Sequence, residues 1–430
     1  MLGLTRYQWL VLAAAWLGWG FDVFDGLLFN YVAPICVPNL LGYDPADPAA
    51  KADTVFWTAA LSSMLLLGWA LGGVLFGKLT DRLGRTRTLL LTMLTYALGT
   101  AACAFAPNLW VLAGFRFIAS LGIGGEWAAG ASLVAETMPK DKRLLGGALL
   151  YTSAPIGLFL ATFVNDLFTR QLDSIAADPD LSWRAVFLTG LIPAAVAMLI
   201  RMKVKEPDHW APSERTELRE LFSPELRRRT IGGLAMAVIA LVTWWSCSVF
   251  IPVIASFLAA DTSTDPSTLA ARKTEFITLG TTMFNLGGLA GTLLTVPIAL
   301  RMGRRPMFAI YFTGAAFAIF AAFGAPLPPE GRLYMLGAVG LTVFGVFGAF
   351  SFYLPELFPM RLRGTGAGFC YNAGRVIAAA GPFLVGTIAA QGANSLTAAL
   401  KALFMVGFVP LAGLLLLPFA IETKGRALVD

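Results

Sequence analysis

Long apolar stretches separated by short polar ones run along the whole chain. Twelve of them reach the length of about 20 residues that an α-helix needs to cross a bilayer. They cover residues 8–38, 54–77, 88–106, 109–137, 144–168, 184–202, 230–259, 274–299, 306–324, 332–356, 364–390 and 398–421. The stretches are too long for strands and do not alternate with period two, which excludes a transmembrane β-barrel. The pattern therefore predicts an all-α membrane protein with 12 transmembrane helices.

Composition agrees with this class of protein. Of 430 residues, 57% are hydrophobic and 13% are charged, about half the charge of a soluble protein. A disordered chain and an ordinary soluble enzyme are thereby excluded. With the N-terminus placed inside the cell, 23 of the 32 Lys and Arg residues fall on the inner side, seven fall on the outer side and two lie within apolar stretches. By the positive-inside rule both termini are cytoplasmic, so the net charge of +6 reports topology and does not indicate a nucleic-acid partner.

An internal repeat divides the chain into two halves. The longest charged stretch, 203–229, lies between six apolar stretches on either side. Short motifs recur across it at an offset of 219 or 220 residues: Gly84-Arg85 with Gly303-Arg304, Glu136 with Glu356, Arg143 with Arg363, and Tyr151 with Tyr371. We predict an N-terminal six-helix bundle (1–202), a cytoplasmic connector (203–229) and a C-terminal six-helix bundle (230–430). Two parallel halves of this kind place a binding site between them, near the midplane.

Four charged residues lie well inside apolar stretches of the first half, away from their ends. A charge near the bilayer centre costs at least about 2.5–3.5 kcal/mol, so these residues are candidates for function: Asp22, Asp25, Arg116 and Glu126. Asp22 and Asp25, three residues apart, share a helix face, and two close carboxylates in low dielectric cannot both ionise easily. Either could carry a proton, or one of them could cap a break in the helix or pair with Arg116. Glu126 lies about 15 Å along the helix from Arg116 and serves either as the next proton stop or as a packing residue.

The second half contains one arginine deep in an apolar stretch. This residue is Arg375, and the carboxylates of its own half, such as Glu275, Glu356 and Glu422, lie at or beyond the ends of spans. A guanidinium binds a carboxylate with two parallel hydrogen bonds. We therefore expect it to bind the carboxylate of a substrate; the alternative is a pair with Asp22 or Asp25 of the other half. Candidate polar and aromatic partners for the substrate are Asn372, Tyr371, Asn285, Trp244 and Tyr353.

Several motifs resemble those of the major facilitator superfamily. They are the loop from Gly77 to Arg87, Arg116 followed by a glycine-rich stretch and Glu126, the run Glu356-Leu-Phe-Pro359, and the ending Glu422-Thr-Lys-Gly. Other segments look most like the metabolite:proton symporters of that superfamily, a branch with carriers of sialic acid, aromatic acids and other small carboxylates: Gly-Gly-Glu126, Glu136 to Arg143, Trp183-Arg184 and Glu206-Pro207. The fifth stretch lacks the fuller glycine-proline signature of drug/proton antiporters, which argues against antiport.

The resemblance also implies a conformational latch at the cytoplasmic side. Its residues in the first loop would be Gly77, Asp81, Arg82, Gly84 and Arg85, and its further members Glu136, Arg143, Glu356 and Arg363. Opposite charges on a tight turn can form and break ion pairs as two halves move. The alternative is a turn that only anchors topology, and the second copy of the loop has Leu300 where the first has Asp81.

The expected function is secondary active transport, not enzyme catalysis. The resemblance implies proton-coupled uptake, by alternating access, of a small organic anion such as a sialic, aromatic or other monocarboxylic acid. It also implies a monomer in the bacterial inner membrane whose partners are the anion, the proton and the lipid bilayer, with no metal or cofactor and with the proton gradient as driving force. A facilitative or proton-coupled sugar transporter is the alternative, favoured by the ending at Glu422. A transporter-like sensor is disfavoured because no soluble domain is present.

Overall fold

The chain folds into helices throughout the part that its structure, a computed structural model, describes. The described residues are 4–43, 48–83, 85–139, 142–201, 218–262, 266–359, 362–391 and 395–425, and no strand occurs among them. Within these ranges eight helical segments are long and apolar enough to cross a membrane, and two shorter apolar helices cover Leu90–Cys103 and Leu109–Gly124. The all-α prediction is confirmed. The count of twelve spans and the cytoplasmic position of both termini remain predictions.

The helices of the N-terminal part are numbered here in chain order. They are α1 (Arg6–Leu41), α2 (Pro48–Leu83), α3 (Arg85–Cys103), α4 (Leu109–Thr137), α5 (Arg143–Tyr151), α6 (Ser153–Asp166), α7 (Asp173–Ala176), α8 (Pro179–Leu188) and α9 (Leu191–Arg201). A π-helical turn, Leu167–Gln171, extends α6. At its N-terminus α1 carries a capping box, in which Thr5 and Gln8 satisfy each other's backbone N–H groups.

The C-terminal part continues the numbering. Its helices are α10 (Arg227–Ser248), α11 (Ile251–Thr262), α12 (Pro266–Met302), α13 (Arg304–Gly324), α14 (Pro329–Val339), α15 (Phe350–Glu356), α16 (Arg363–Ala378), α17 (Ala380–Ala390), α18 (Ser395–Val406) and α19 (Phe408–Leu416). Single turns of other helix types cover Leu218–Phe222, Gly340–Phe344, Gly345–Ala349 and Leu417–Phe419.

Prolines explain why several predicted spans are each made of two helices. Proline has no N–H to donate to the carbonyl four residues earlier. Helices α5, α10, α16 and α18 each end four residues before a proline, at Pro155, Pro252, Pro382 and Pro410 respectively. The chain then continues as a second helix in each case, so one apolar stretch forms a broken helix.

Helices α2 and α12 each pack on a helix of their own part of the chain and on a helix of the other part. Helix α2 packs on α4 and also on α17, whereas α12 packs on α14 and also on α6. Close approach needs glycine: a Cβ at Gly72 would lie 2.0 Å from the carbonyl oxygen of Leu121. The two most extensive seams between the N-terminal and C-terminal parts are α2 with α17 and α6 with α12, and the candidate site lies between them.

Candidate functional site

Asp25 is buried within the N-terminal helices, where it contacts α3 and α4. Its side chain accepts a hydrogen bond of 2.6 Å from Thr100 Oγ1. Arg116 does not reach the carboxylate oxygens: Nη1 donates to the backbone carbonyl of Asp25 at 3.1 Å, and Nη2 donates to that of Gly26. Gly190, in the break between α8 and α9, leaves room for the carboxylate, since a Cβ there would lie 2.7 Å from Asp25 Oδ1.

Asp22, although only three residues away, has different surroundings. It is completely buried and lies within electrostatic reach of Arg375 on α16. One turn earlier, Trp19 packs against Tyr151, with ring centroids 6.2 Å apart. The two carboxylates expected to act as a pair thus have different partners. Asp25 contacts residues of the N-terminal helices, whereas Asp22 lies toward Arg375 of the C-terminal part.

Arg375 occupies an aromatic enclosure. It is 2% exposed, and its guanidinium carbon lies 4.7 Å from the ring centres of both Trp69 and Tyr371. Nη1 donates to Asn372 Oδ1 at 3.0 Å. Among the described residues, Nε of Arg375 has no hydrogen-bond partner. The Nε–H group of Arg375 is therefore available to donate a hydrogen bond to a bound molecule. Trp69, which was not among the residues predicted from the sequence, forms one wall of the enclosure.

A small pocket lies between the two parts. It is lined by Leu27, Asn30, Tyr31, Leu158, Trp244, Ser248, Ile251, Pro252, Thr281, Phe284 and Asn285. Two of the predicted substrate residues, Trp244 and Asn285, are among them. Within the described part of the chain, Trp244 Nε1, Ser248 Oγ and Asn285 Oδ1 lack hydrogen-bond partners. Since buried polar groups are normally paired, these three atoms offer donors and an acceptor to a bound molecule.

A row of indole rings joins the pocket to Arg375. Trp244 packs edge-on against Trp245 at 4.8 Å, and Trp245 packs against Trp69 at 5.5 Å. Arg375 itself does not line the pocket, so Trp244 and Asn285 lie on the pocket surface and Arg375 lies behind it, beyond the indole rings.

The repeat-related tyrosines meet each other. Tyr151 and Tyr371 form a hydrogen bond of 3.0 Å between their hydroxyl groups, and Phe347 stacks on Tyr151. Because Tyr371 also covers the guanidinium of Arg375, this bond connects α5 to the enclosure of the arginine.

The structure places Tyr353 and Glu356 away from the pocket. Tyr353 packs on Phe308, and its hydroxyl accepts the backbone N–H of Ile421. Glu356 forms a two-point ion pair with Arg304 at 2.7 and 3.1 Å and also accepts from Thr423. These partners all belong to the C-terminal part, where the aromatic ring of Tyr353 and the carboxylate of Glu356 hold the chain end against α13.

Nine further predicted residues belong to the expected latch and proton route. Arg363 begins α16, and Gly84 lies outside the described residues. Seven more lie in helices whose course is described but whose side-chain surroundings are outside the described part: Gly77, Asp81, Arg82, Arg85, Glu126, Glu136 and Arg143.

Comparison with known proteins agrees with this architecture. The family model of the Major Facilitator Superfamily matches residues 9–257. A Haemophilus influenzae protein named for metabolite transport is 27% identical over 99% of this chain and 99% of its own length. The gentisate transporter of Corynebacterium glutamicum is 26% identical over 89% of this chain and 83% of its own.

Solved structures extend the likeness to the fold. The crystal structure of a D-xylose-proton symporter matches with a TM-score of 0.77 at 18% identity, covering 98% of this chain and 100% of that one. The family resemblance of the motifs is confirmed. The chain belongs to the Major Facilitator Superfamily and, like the relatives it matches, is a multi-pass membrane transporter and not an enzyme.

Proposed function

We propose that the protein takes up a small organic anion, such as a sialic, aromatic or other monocarboxylic acid, together with protons across the bacterial inner membrane. Membership of the superfamily supports a transporter, and the similarity to a gentisate transporter supports an aromatic carboxylate as cargo. The proton gradient drives accumulation, and no metal or cofactor takes part.

Arg375 is the observation that carries this proposal. A fully buried guanidinium with an unused Nε donor is costly unless it has an anionic partner in some state of the protein. Its aromatic walls, Trp69 and Tyr371, suit a carboxylate attached to a flat ring. Asn372, which already contacts the guanidinium, fixes its orientation.

Proton coupling is proposed to use the buried acids of α1. Asp22 acts on Arg375 from across the interface, so a substrate carboxylate and the charged form of Asp22 compete for the same guanidinium. Protonation of Asp22 then favours substrate binding. Asp25, beside Arg116 and Thr100, and Glu126 complete the proton route.

Alternating access is proposed to move two six-helix bundles, 1–202 and 230–430, against each other. The cytoplasmic connector 203–229 joins them, and the protein acts as a monomer with both termini inside the cell. Twelve spans follow from this arrangement. The loop residues from Gly77 to Arg85, together with Glu136, Arg143, Glu356 and Arg363, form the inner latch.

A thermal-stability screen of the purified protein tests the substrate class. A ligand at about 100 times its Kd stabilises the folded state by about 2.7 kcal/mol, so carboxylates that bind should raise the melting temperature whereas the matching alcohols or amides should not. Arg375→Lys should weaken that binding at least about tenfold, because an ammonium cannot make the two-point contact. The ligand-free melting temperature of the variant serves as the folding control, and an unchanged carboxylate affinity would remove Arg375 from the site.

One observation favours sugar transport as a second candidate. No charged side chain lines the small pocket within the described residues, and its polar groups are neutral amides, hydroxyls and an indole. The same screen therefore includes neutral sugars beside sugar acids. Stabilisation by the sugars alone would replace the anion with a sugar as cargo.

A further inference from the structure

Two lysines, one from each part of the chain, lie close together near the starts of α2 and α12. Lys51 belongs to the first residues of α2, and its Nζ lies over the ring of Phe257 on α11, 5.7 Å from the ring centre. Lys273 of α12 lies within electrostatic reach of Lys51. Both lysines are partly buried. Together they are called the lysine pair below.

The charges of the lysine pair are not neutralised by ion pairs within the described part of the chain. Acids on neighbouring turns have other partners. Asp53 accepts from Tyr43 at 2.7 Å, whereas Glu275 and Glu330 each bind Arg272 at 2.9 Å and are more than half exposed. Two like charges in partly desolvated surroundings repel each other more strongly than in bulk water. An anion that reaches both ammonium groups is therefore favoured.

A buried acid contacts α12 in the same region but has its own cation. Asp166 accepts from Thr278, which lies five residues after Lys273 on α12. The same carboxylate is bound at two points by Arg170, whose Nε and Nη2 each lie 2.8 Å from an oxygen. The charge of Asp166 is therefore offset by this guanidinium and not by the lysine pair.

The lysine pair lies close to the pocket, at the same end of α11 and α12. Phe257 follows Pro252 of the pocket wall by five residues, and Lys273 precedes Thr281 of the pocket wall by eight. Since an α-helix rises 1.5 Å per residue, the pair is about 8–12 Å from the pocket along these helices. Arg375 lies on the other side of the pocket, beyond the indole rings. An anion that enters from the end of the lysine pair meets two ammonium groups before it meets the neutral pocket wall.

We propose that the lysine pair is a second binding site, separate from Arg375, for the carboxylate of a small organic anion at the outer entrance to the pocket. Each ammonium group has three N–H donors, so the two lysines can bind both oxygens of one carboxylate. A positive entrance raises the local concentration of an anion and the rate at which it reaches the pocket. Delivery of the transported anion and the word outer rest on the proposed function; the binding of a carboxylate does not.

Protection of the lysines by benzoate tests this site. The purified protein is treated with a water-soluble amine-acetylating reagent, and mass spectrometry measures the modification of each lysine. Only the neutral amine reacts, so an anion that covers Lys51 and Lys273 and holds them protonated slows their modification. Benzoate, exchanged for chloride at constant ionic strength, should slow it at least about fivefold, whereas benzyl alcohol should not. Lys401, an exposed lysine that the charge pattern of the sequence places on the same side of the membrane, should be unaffected.

Variants separate the contribution of each charge. Lys51→Gln should raise the benzoate concentration that half-protects Lys273 about fivefold, the factor for one charge about 4 Å from a carboxylate in water. Lys273→Gln should have the same effect on the protection of Lys51. As the matched control, Lys401→Gln removes an equal charge elsewhere and should change neither value. Arg375→Gln should also leave the protection intact, because the two sites are separate.

The proposal would be overturned if benzoate left both lysines fully reactive, slowed Lys401 equally, or protected no better than benzyl alcohol. Loss of protection in Arg375→Gln would place the protecting anion at Arg375 and would overturn it too. Protection by phosphatidylglycerol added to the micelles, without protection by benzoate, would identify a lipid headgroup as the occupant and exclude the carboxylate. Absence of proton-coupled carboxylate uptake in proteoliposomes would refute the proposed function and leave protection by benzoate intact.

Discussion

At the scale of single residues, the two acids of α1 have separate surroundings. Asp25 accepts from Thr100 and lies beside Arg116, whereas Asp22 lies within electrostatic reach of Arg375. Helical spacing places them one turn apart, but that offset is enough to direct them to different helices. We infer that Asp22 responds to the substrate and that Asp25 carries a proton within the N-terminal helices.

Neutral replacement of either acid should uncouple transport. Asp22→Asn and Asp25→Asn are each expected to lose concentrative uptake driven by a pH gradient while retaining exchange of substrate across the membrane, because exchange needs no net proton release. Both activities are measured in the same proteoliposomes, with Asp180→Asn as control. If a variant still concentrates substrate, the acid replaced in that variant does not take part in proton coupling.

Sequence reasoning found the members of the candidate site that are chemically unusual for a membrane span. Arg375 and Asn285 stand out because burying a charge or an amide is costly. Trp69 and Ser248 were missed because an indole or a hydroxyl is ordinary in an apolar helix, and only packing decides which face meets a pocket. Tyr353 was selected for its residue type, yet its helix directs it to the chain end.

At the scale of helices, the breaks within apolar stretches can be predicted from the sequence, because four of them follow from prolines. The cap of α13 cannot. Glu422 accepts the backbone N–H groups of Arg304 and Arg305, at 3.0 Å each, from more than a hundred residues away. Gly303, with φ of +104°, lies so close to this carboxylate that a Cβ would be 2.7 Å from it.

The cap gives a pH-dependent contribution to stability. Burial opposes ionisation of Glu422, but the backbone N–H groups of Arg304, Arg305 and Lys424 outweigh it and hold the pKa of the carboxyl below its ordinary value. A group whose folded-state pKa is lowered stabilises the protein above the unfolded pKa, about 4.3 for Glu, and loses that effect as pH falls through the folded value.

Glu422→Gln should therefore destabilise the protein by about 1 kcal/mol at pH 7. The difference from the unaltered protein should shrink as the pH falls below about 4. Thermal unfolding in detergent across this range is the measurement. Glu330→Gln, which removes an exposed acid paired with Arg272, should have little effect at any pH. A loss for Glu422→Gln that is the same at every pH would exclude the charged cap.

At the scale of the whole molecule, the contact between Tyr151 and Tyr371 bears on the relation of the two halves. A residue can contact its own repeat equivalent only next to the axis that relates the repeats. The offset of 220 residues and the hydroxyl–hydroxyl bond of 3.0 Å together support two bundles related by a two-fold axis that passes between these tyrosines. The pocket and Arg375 then lie close to that axis.

Combined tyrosine variants measure this contact. Tyr151→Phe and Tyr371→Phe break the same hydrogen bond, so the double variant should lose less stability than the sum of the single losses, by about 0.5–1.5 kcal/mol. Tyr311→Phe, whose hydroxyl bonds Gly291 and Thr295, should add fully to Tyr151→Phe. Full additivity of Tyr151→Phe with Tyr371→Phe would show that the two hydroxyls are not coupled.

Uptake of a labelled aromatic carboxylate into proteoliposomes, with and without an inward proton gradient, tests the central claim most directly. Proton-coupled symport predicts that the gradient drives accumulation above the outside concentration and that an uncoupler abolishes it. Uptake that only equilibrates the carboxylate, and that neither the gradient nor the uncoupler changes, would contradict proton coupling.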